Sequence, residues 1–125
     1  MIELKELSAT KLDNGIEVKP YLTYDEIQTI VNQVMKSDEW AEREGTIDIL
    51  LIKFATNISD ADSEKIGHDM FVKSGTMKHI RNNIKNLNQV YEAIAYTEST
   101  GRALDRLAKE VLPLIEKVEK LASKK

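Results

Sequence analysis

The chain has 125 residues, of which 42% are hydrophobic and 31% charged, with a formal net charge of −3. That length and composition fit one globular domain with its own core and exclude a disordered chain. The absence of cysteine excludes disulfides, thiolate metal sites and cysteine nucleophiles, and it fits a reducing compartment. No stretch approaches the roughly 18 apolar residues that a bilayer span needs. Residues 1–7 alternate Glu and Lys with apolar residues, a pattern of neither a signal peptide nor a basic anchor. Nucleic-acid binding draws on counterion release by clustered Lys and Arg, so the acidic balance argues against it.

The pattern predicts a mainly α protein: an N-terminal β-hairpin packed on a helical bundle that ends in an antiparallel helical hairpin. Residues 1–20 read as the β-hairpin. Ile2, Leu4 and Leu7 alternate with charged neighbours, and Ile16 and Val18 resume the alternation beyond Asn14-Gly15. Asn-Gly suits a type I′ turn, whose two central residues both need positive φ. Pro20 removes a ladder donor and ends the second strand. Residues 23–56 read as two helices. Thr23 with Glu26 forms a capping box, and Leu22 with Ile27 can staple it. Ile27, Ile30, Val31 and Val34 then mark one face. Asp38 is placed to cap the second helix. Its apolar residues are Trp40, Ile47, Leu50, Leu51, Phe54 and Ala55, and only Asp48 and Lys53 interrupt the run from Ile47 to Phe54. This run reads as the central core helix, with a buried strand as the alternative.

Residues 57–76 are expected to be irregular, with a short helix over 63–72, because Gly67 and Gly75 punctuate them. Residues 77–123 carry two heptad seams. One comprises Met77, Ile80, Ile84, Leu87, Tyr91 and Ile94, and the other Leu104, Leu107, Val111, Leu114, Val118 and Leu121. The seams are out of phase. A break near Ser99-Thr100-Gly101 and a helical hairpin are therefore predicted, with one long helix carrying a seam shift as the alternative. Pro113 lacks the N–H for the Lys109 carbonyl, so a kink is expected there. Lys117, Lys120, Lys124 and Lys125 favour a helix C-terminus without needing a partner.

Candidate chemistry fails for stated reasons. Asp60, Asp62 and Glu64 match the first ligands of a calcium loop, but Lys65 stands where glycine is required and Phe71 where the bidentate Glu is required. His68 and His79 lack zinc-ligand spacing and read as surface histidines. Glu39, Glu42, Glu44 and Asp48 read as the solvated start of a helix. No serine lies in a nucleophile elbow, and no glycine-rich loop follows a strand. The reading is therefore non-enzymatic, with no catalytic, cofactor-binding or metal-binding residue, no cofactor and no small-molecule substrate.

What remains is surface. The hairpin residues Ile2, Leu4, Ile16 and Val18 can offer a sheet edge to a partner. Lys78, Arg81 and Lys85 form a basic stretch among Asn82, Asn83, Asn86 and Asn88, which reads first as the polar face of an amphipathic helix. The strict seams also suit protein contact, although packing between the two predicted helices is the expected use.

Residues 18–26, Val-Lys-Pro-Tyr-Leu-Thr-Tyr-Asp-Glu, followed by Glu42-Arg43-Glu44 and Ile49-Leu50-Leu51-Ile52-Lys53, resemble small proteins from the structural-gene modules of tailed phages and prophages of Gram-positive bacteria. The resemblance covers about the first half of the chain. It implies a non-enzymatic virion-assembly or virion-associated protein, a head–tail or tail accessory located in the bacterial host cytoplasm or the virion. Its partners would be other phage structural proteins or further copies of itself. A small phage-encoded regulator or inhibitor of a host protein is the alternative. No functional residue is carried over by the resemblance.

Overall fold

The computed structural model describes residues 2–123. Lys124 and Lys125, two of the lysines expected at a helix C-terminus, lie outside the described residues. The chain divides into two compact units, Met1–Glu92 and Ala93–Lys125. It is mainly helical, with one small antiparallel hairpin near its start.

In the first unit, β1 (Thr10–Lys11) pairs with β2 (Glu17–Val18), with Thr10 opposite Val18 and Lys11 opposite Glu17. The strand predicted from Ile2 to Leu7 does not form, and residues 2–9 have no regular structure. In this register their partners would lie at Pro20 and beyond. Pro20 has no N–H, and the Pro20 carbonyl and both backbone groups of Leu22 are bonded elsewhere. The turn also differs from the expected type I′. Gly15 adopts φ 85°, while no non-glycine among the described residues has positive φ, so Asn14 stays on the ordinary side. The Leu12 carbonyl accepts from Gly15 N–H at 3.0 Å, and Leu12 N–H donates to Ile16 at 2.7 Å. This is a three-residue loop closed by a left-handed glycine.

The hairpin is tied to the helices through β2. Lys19 N–H donates to the Ala55 carbonyl at 2.7 Å, Val18 bridges to Thr56, and Glu17 N–H donates to Asn57 Oδ1 at 3.0 Å. Val18 is thereby fully buried.

Helix α1 (Tyr24–Val34) has the predicted capping box. Thr23 Oγ1 accepts from Glu26 N–H at 3.2 Å, and Glu26 Oε1 accepts from Thr23 N–H at 2.9 Å. Ile27, Ile30, Val31 and Val34 are buried, as is Leu22 before the cap. Helix α2 (Trp40–Ala55) buries Ile47, Leu51, Ile52 and Ala55, so the central apolar run is a helix and not a strand. Asp38 does not cap it. Glu39 occupies that position without a side-chain bond, and its N–H donates to Ser37 Oγ at 3.3 Å. Trp40 is exposed, so the buried apolar residues of α2 begin at Ile47.

Two short helices, α3 (Asp60–Ile66) and α4 (His68–Lys73), replace the single one expected over 63–72. Gly67 separates them with φ 83°. Gly75, left-handed at φ 77°, then precedes α5 (Thr76–Asn82). The first heptad seam is interrupted after α5. Residues 83–86 leave the helix, and the chain resumes as α6 (Leu87–Ser123). Asn86, predicted on a solvated face, is buried here. Its Oδ1 accepts from Leu22 N–H at 2.9 Å and its Nδ2 donates to the Leu22 carbonyl at 3.0 Å. Lys85 N–H donates to the Pro20 carbonyl at 2.7 Å. Together these bonds lock the entry to α1 onto the entry to α6.

The second unit is the remainder of α6. The predicted helical hairpin is absent, and the alternative of one long helix is what forms. Gly101 does not adopt the left-handed conformation that a short connection favours, and Ser99 and Thr100 are helical. One pair a turn apart spans the expected break: Arg102 pairs with Glu98 at 3.6 Å. A helical glycine costs only about 1 kcal/mol relative to alanine, too little by itself to end a helix. The helix continues through Pro113. The second seam is exposed along its length, from Val111 at 41% to Leu121 at 67%.

Candidate functional site

Two features stand out, a polar cluster in the first unit and an apolar stripe in the second. The cluster starts from two carboxylates one turn apart on α2. Glu44 and Asp48 share the side that carries Ile47 and Leu51, so Asp48 is drawn into the buried face. A buried carboxylate needs a partner. Arg81 of α5 supplies it. The guanidinium contacts Asp48 Oδ1 at 2.7 Å and Glu44 Oε2 at 2.8 Å, and it also donates to the Tyr91 hydroxyl. Tyr91 in turn donates to Glu44 Oε2 at 2.9 Å, and its ring tilts against Trp40 with centroids 6.4 Å apart. His68 of α4 completes the group, with Nε2 2.8 Å from Asp48 Oδ2.

Burial disfavours the Arg81 cation, but hydrogen bonds to Tyr91 and Asp48 and the Asp48 charge outweigh it. The guanidinium pKa is thereby held above its ordinary value. Burial pushes the Tyr91 hydroxyl up, opposed by the Arg81 bond and assisted by Glu44. The cluster thus fastens α2 to α4, α5 and the first turns of α6. Its acids, its base and its hydroxyl are engaged with one another. Two surface clefts of this unit, one lined by Asn14–Ile16, Asn57 and Asp62 and another by residues 5–7 and 19–23, include none of its members. Among the described residues no group of three or more His, Asp or Glu is placed to hold a metal ion. Asp60, Asp62 and Glu64 lie on helix α3, whose N-terminus Ser59 caps, and Phe71 is a core residue.

The surface residues singled out from the sequence separate into distinct environments. Ile2 and Leu4 are almost fully exposed, at 89% and 92%. Ile16 is half-buried, and Val18 belongs to the core. Lys78 and Lys85 are exposed. Arg81 does not join them, because it faces the acidic pair. His68, expected at the surface, is bound to Asp48, while His79 is exposed. Sequence reasoning missed the cluster. The available signal was Asp48, a charge inside an otherwise apolar helical run.

The second feature is the stripe on α6. Leu104, Leu107, Val111, Leu114, Val118 and Leu121 repeat at alternating spacings of three and four, with Leu112 and Ile115 beside them, all exposed. Scattered surface leucines are common, whereas this stripe is contiguous and keeps coiled-coil spacing. No helix among the described residues is long and apolar enough to cross a membrane. The geometry therefore defines a protein with a clasped helical unit and an open helical face. Comparison with family models, curated proteins and solved structures finds no match for this chain.

Proposed function

We propose that this is a non-enzymatic assembly or virion-associated protein, a head–tail or tail accessory that works through protein–protein contacts. The observation that carries the contact reading is the exposed heptad stripe from Leu104 to Leu121. The phage setting rests on the resemblance of residues 18–53 to proteins of tailed-phage structural modules. It would place the protein in the bacterial host cytoplasm or on the virion, with other phage structural proteins as partners. The polar cluster supports the non-enzymatic reading because its groups satisfy one another and line neither of the clefts described above.

The test is fractionation of a phage-producing culture that expresses the tagged full chain or its Leu107→Lys/Leu114→Lys variant. The wild type is expected with particles or assembly intermediates and the variant in the free pool. A wild-type chain that never accompanies either would overturn the assembly reading. Stoichiometric recovery of a host protein in its place would favour a phage-encoded regulator.

A further inference from the structure

The heptad arithmetic of the exposed stripe specifies its occupant more closely. Taking Leu104 as an a position, the a residues are Leu104, Val111 and Val118, and the d residues are Leu107, Leu114 and Leu121. The flanks differ. One flank, at e, carries Ala108, Ile115 and Ala122, and the other, at g, carries Glu110 and Lys117. In a parallel pair g faces e of the partner. Glu110 would then meet Ile115 and Lys117 would meet Ala122, leaving both charges without a counterpart.

In an antiparallel pair g faces g and e faces e. Centred on Val111 and Leu114, the layers join Leu104 to Leu121, Leu107 to Val118, and Val111 to Leu114, each twice by symmetry. Four of the six layers set a leucine against a valine, the large-against-small pairing that lets facing side chains interdigitate. On the charged flank Glu110 meets Lys117, and on the other Ala108 meets Ile115, again each twice. The apolar flank and the charge pair are satisfied by the same register. Pro113 falls at a c position, away from the seam, where its ring does not obstruct a partner.

We infer that residues 104–121 of α6 pair antiparallel with the same segment of a second copy, forming a two-fold dimer. This rests on the contact-protein reading above and names one partner for that surface. The stripe's side chains are exposed, so substitutions there leave the first unit folded, a condition that circular dichroism checks.

The test is sedimentation equilibrium of the full chain over a concentration series. Wild type is expected as a monomer–dimer equilibrium and Leu107→Lys/Leu114→Lys as a monomer. Glu110→Lys and Lys117→Glu each convert two attractive flanking contacts into repulsive ones and are expected to weaken the dimer about tenfold. Combining them reverses both charges together and restores wild-type association. A wild type that stays monomeric, a Leu107→Lys/Leu114→Lys variant that still dimerises, or single charge reversals without effect would each overturn the antiparallel dimer. A monomeric wild type that nevertheless fractionates with particles would overturn the dimer alone and leave the assembly function standing.

Discussion

Asn86 satisfies both backbone groups of Leu22, accepting from its N–H at 2.9 Å and donating to its carbonyl at 3.0 Å across 64 residues of chain. Both residues are buried, so water cannot replace the side chain. Asn86→Ala leaves a buried donor and a buried acceptor unpaired and is expected to destabilise the first unit by about 2–4 kcal/mol. Urea unfolding followed by Trp40 fluorescence measures this. Asn86→Asp keeps the acceptor, loses the donor and buries a charge, so it should not rescue.

Arg81 holds Glu44 and Asp48 together in a partly buried site. Removing one partner of such a group strands the other charges. Arg81→Met is expected to cost about 2–4 kcal/mol, less than a fully buried pair because the guanidinium reaches solvent. The paired change Arg81→Met with Asp48→Leu removes charge on both sides and should recover a large part of that loss. A thermodynamic cycle over the two single variants and the double variant checks the coupling.

Tyr91 sets the alkaline limit of the same cluster. Its pKa is raised in the folded chain, so the unfolded chain loses this proton first as pH rises. The folded state then binds more protons, and stability falls with increasing pH beyond the ordinary tyrosine value of about 10. Below that value the contribution is fully present. Tyr91→Phe should flatten the alkaline slope of a melting-temperature series by removing this linkage.

The capping box at Thr23 is a local device with a local cost. Thr23→Ala is expected to destabilise the first unit by about 1 kcal/mol, measured by thermal unfolding. Because Glu26 also binds Lys19 Nζ at 3.1 Å, Glu26→Ala removes the reciprocal cap and a surface ion pair together, and its effect should be similar in size.

Features encoded over a few residues are legible in the sequence. The Thr23–Glu26 box, the apolar face of α1, the buried helix around Leu51 and the turn at Gly15 each follow from local spacing. The misreadings came from long-range competition. Ile2 to Leu7 alternate like a strand, but residues 21–26 that would face them in this register include Leu22, whose backbone is bonded to Asn86, and the start of α1. Asn86 looked like one more polar residue in an Asn-rich helix, although its partner lies 64 positions away. Gly101 looked like a break because the seams change phase there, yet one glycine does not end a helix held by Glu98–Arg102. Arg81 shares the charge of its neighbours Lys78 and Lys85, and only the fold sets Asp48 opposite it. A signal for that pairing was present, since an acid within a buried apolar run demands a counter-charge.

The central claim is that the stripe from Leu104 to Leu121 is a contact surface. A lone exposed helix segment of this length is marginal in water, so its amides should exchange fast unless the stripe is covered. Amide hydrogen exchange of the wild-type chain, set beside Leu107→Lys/Leu114→Lys at the same high concentration, tests this most directly. The account predicts protection over residues 104–121 in the wild type, its loss in the variant, and unchanged protection over α2. Equal protection of residues 104–121 in both proteins would contradict it.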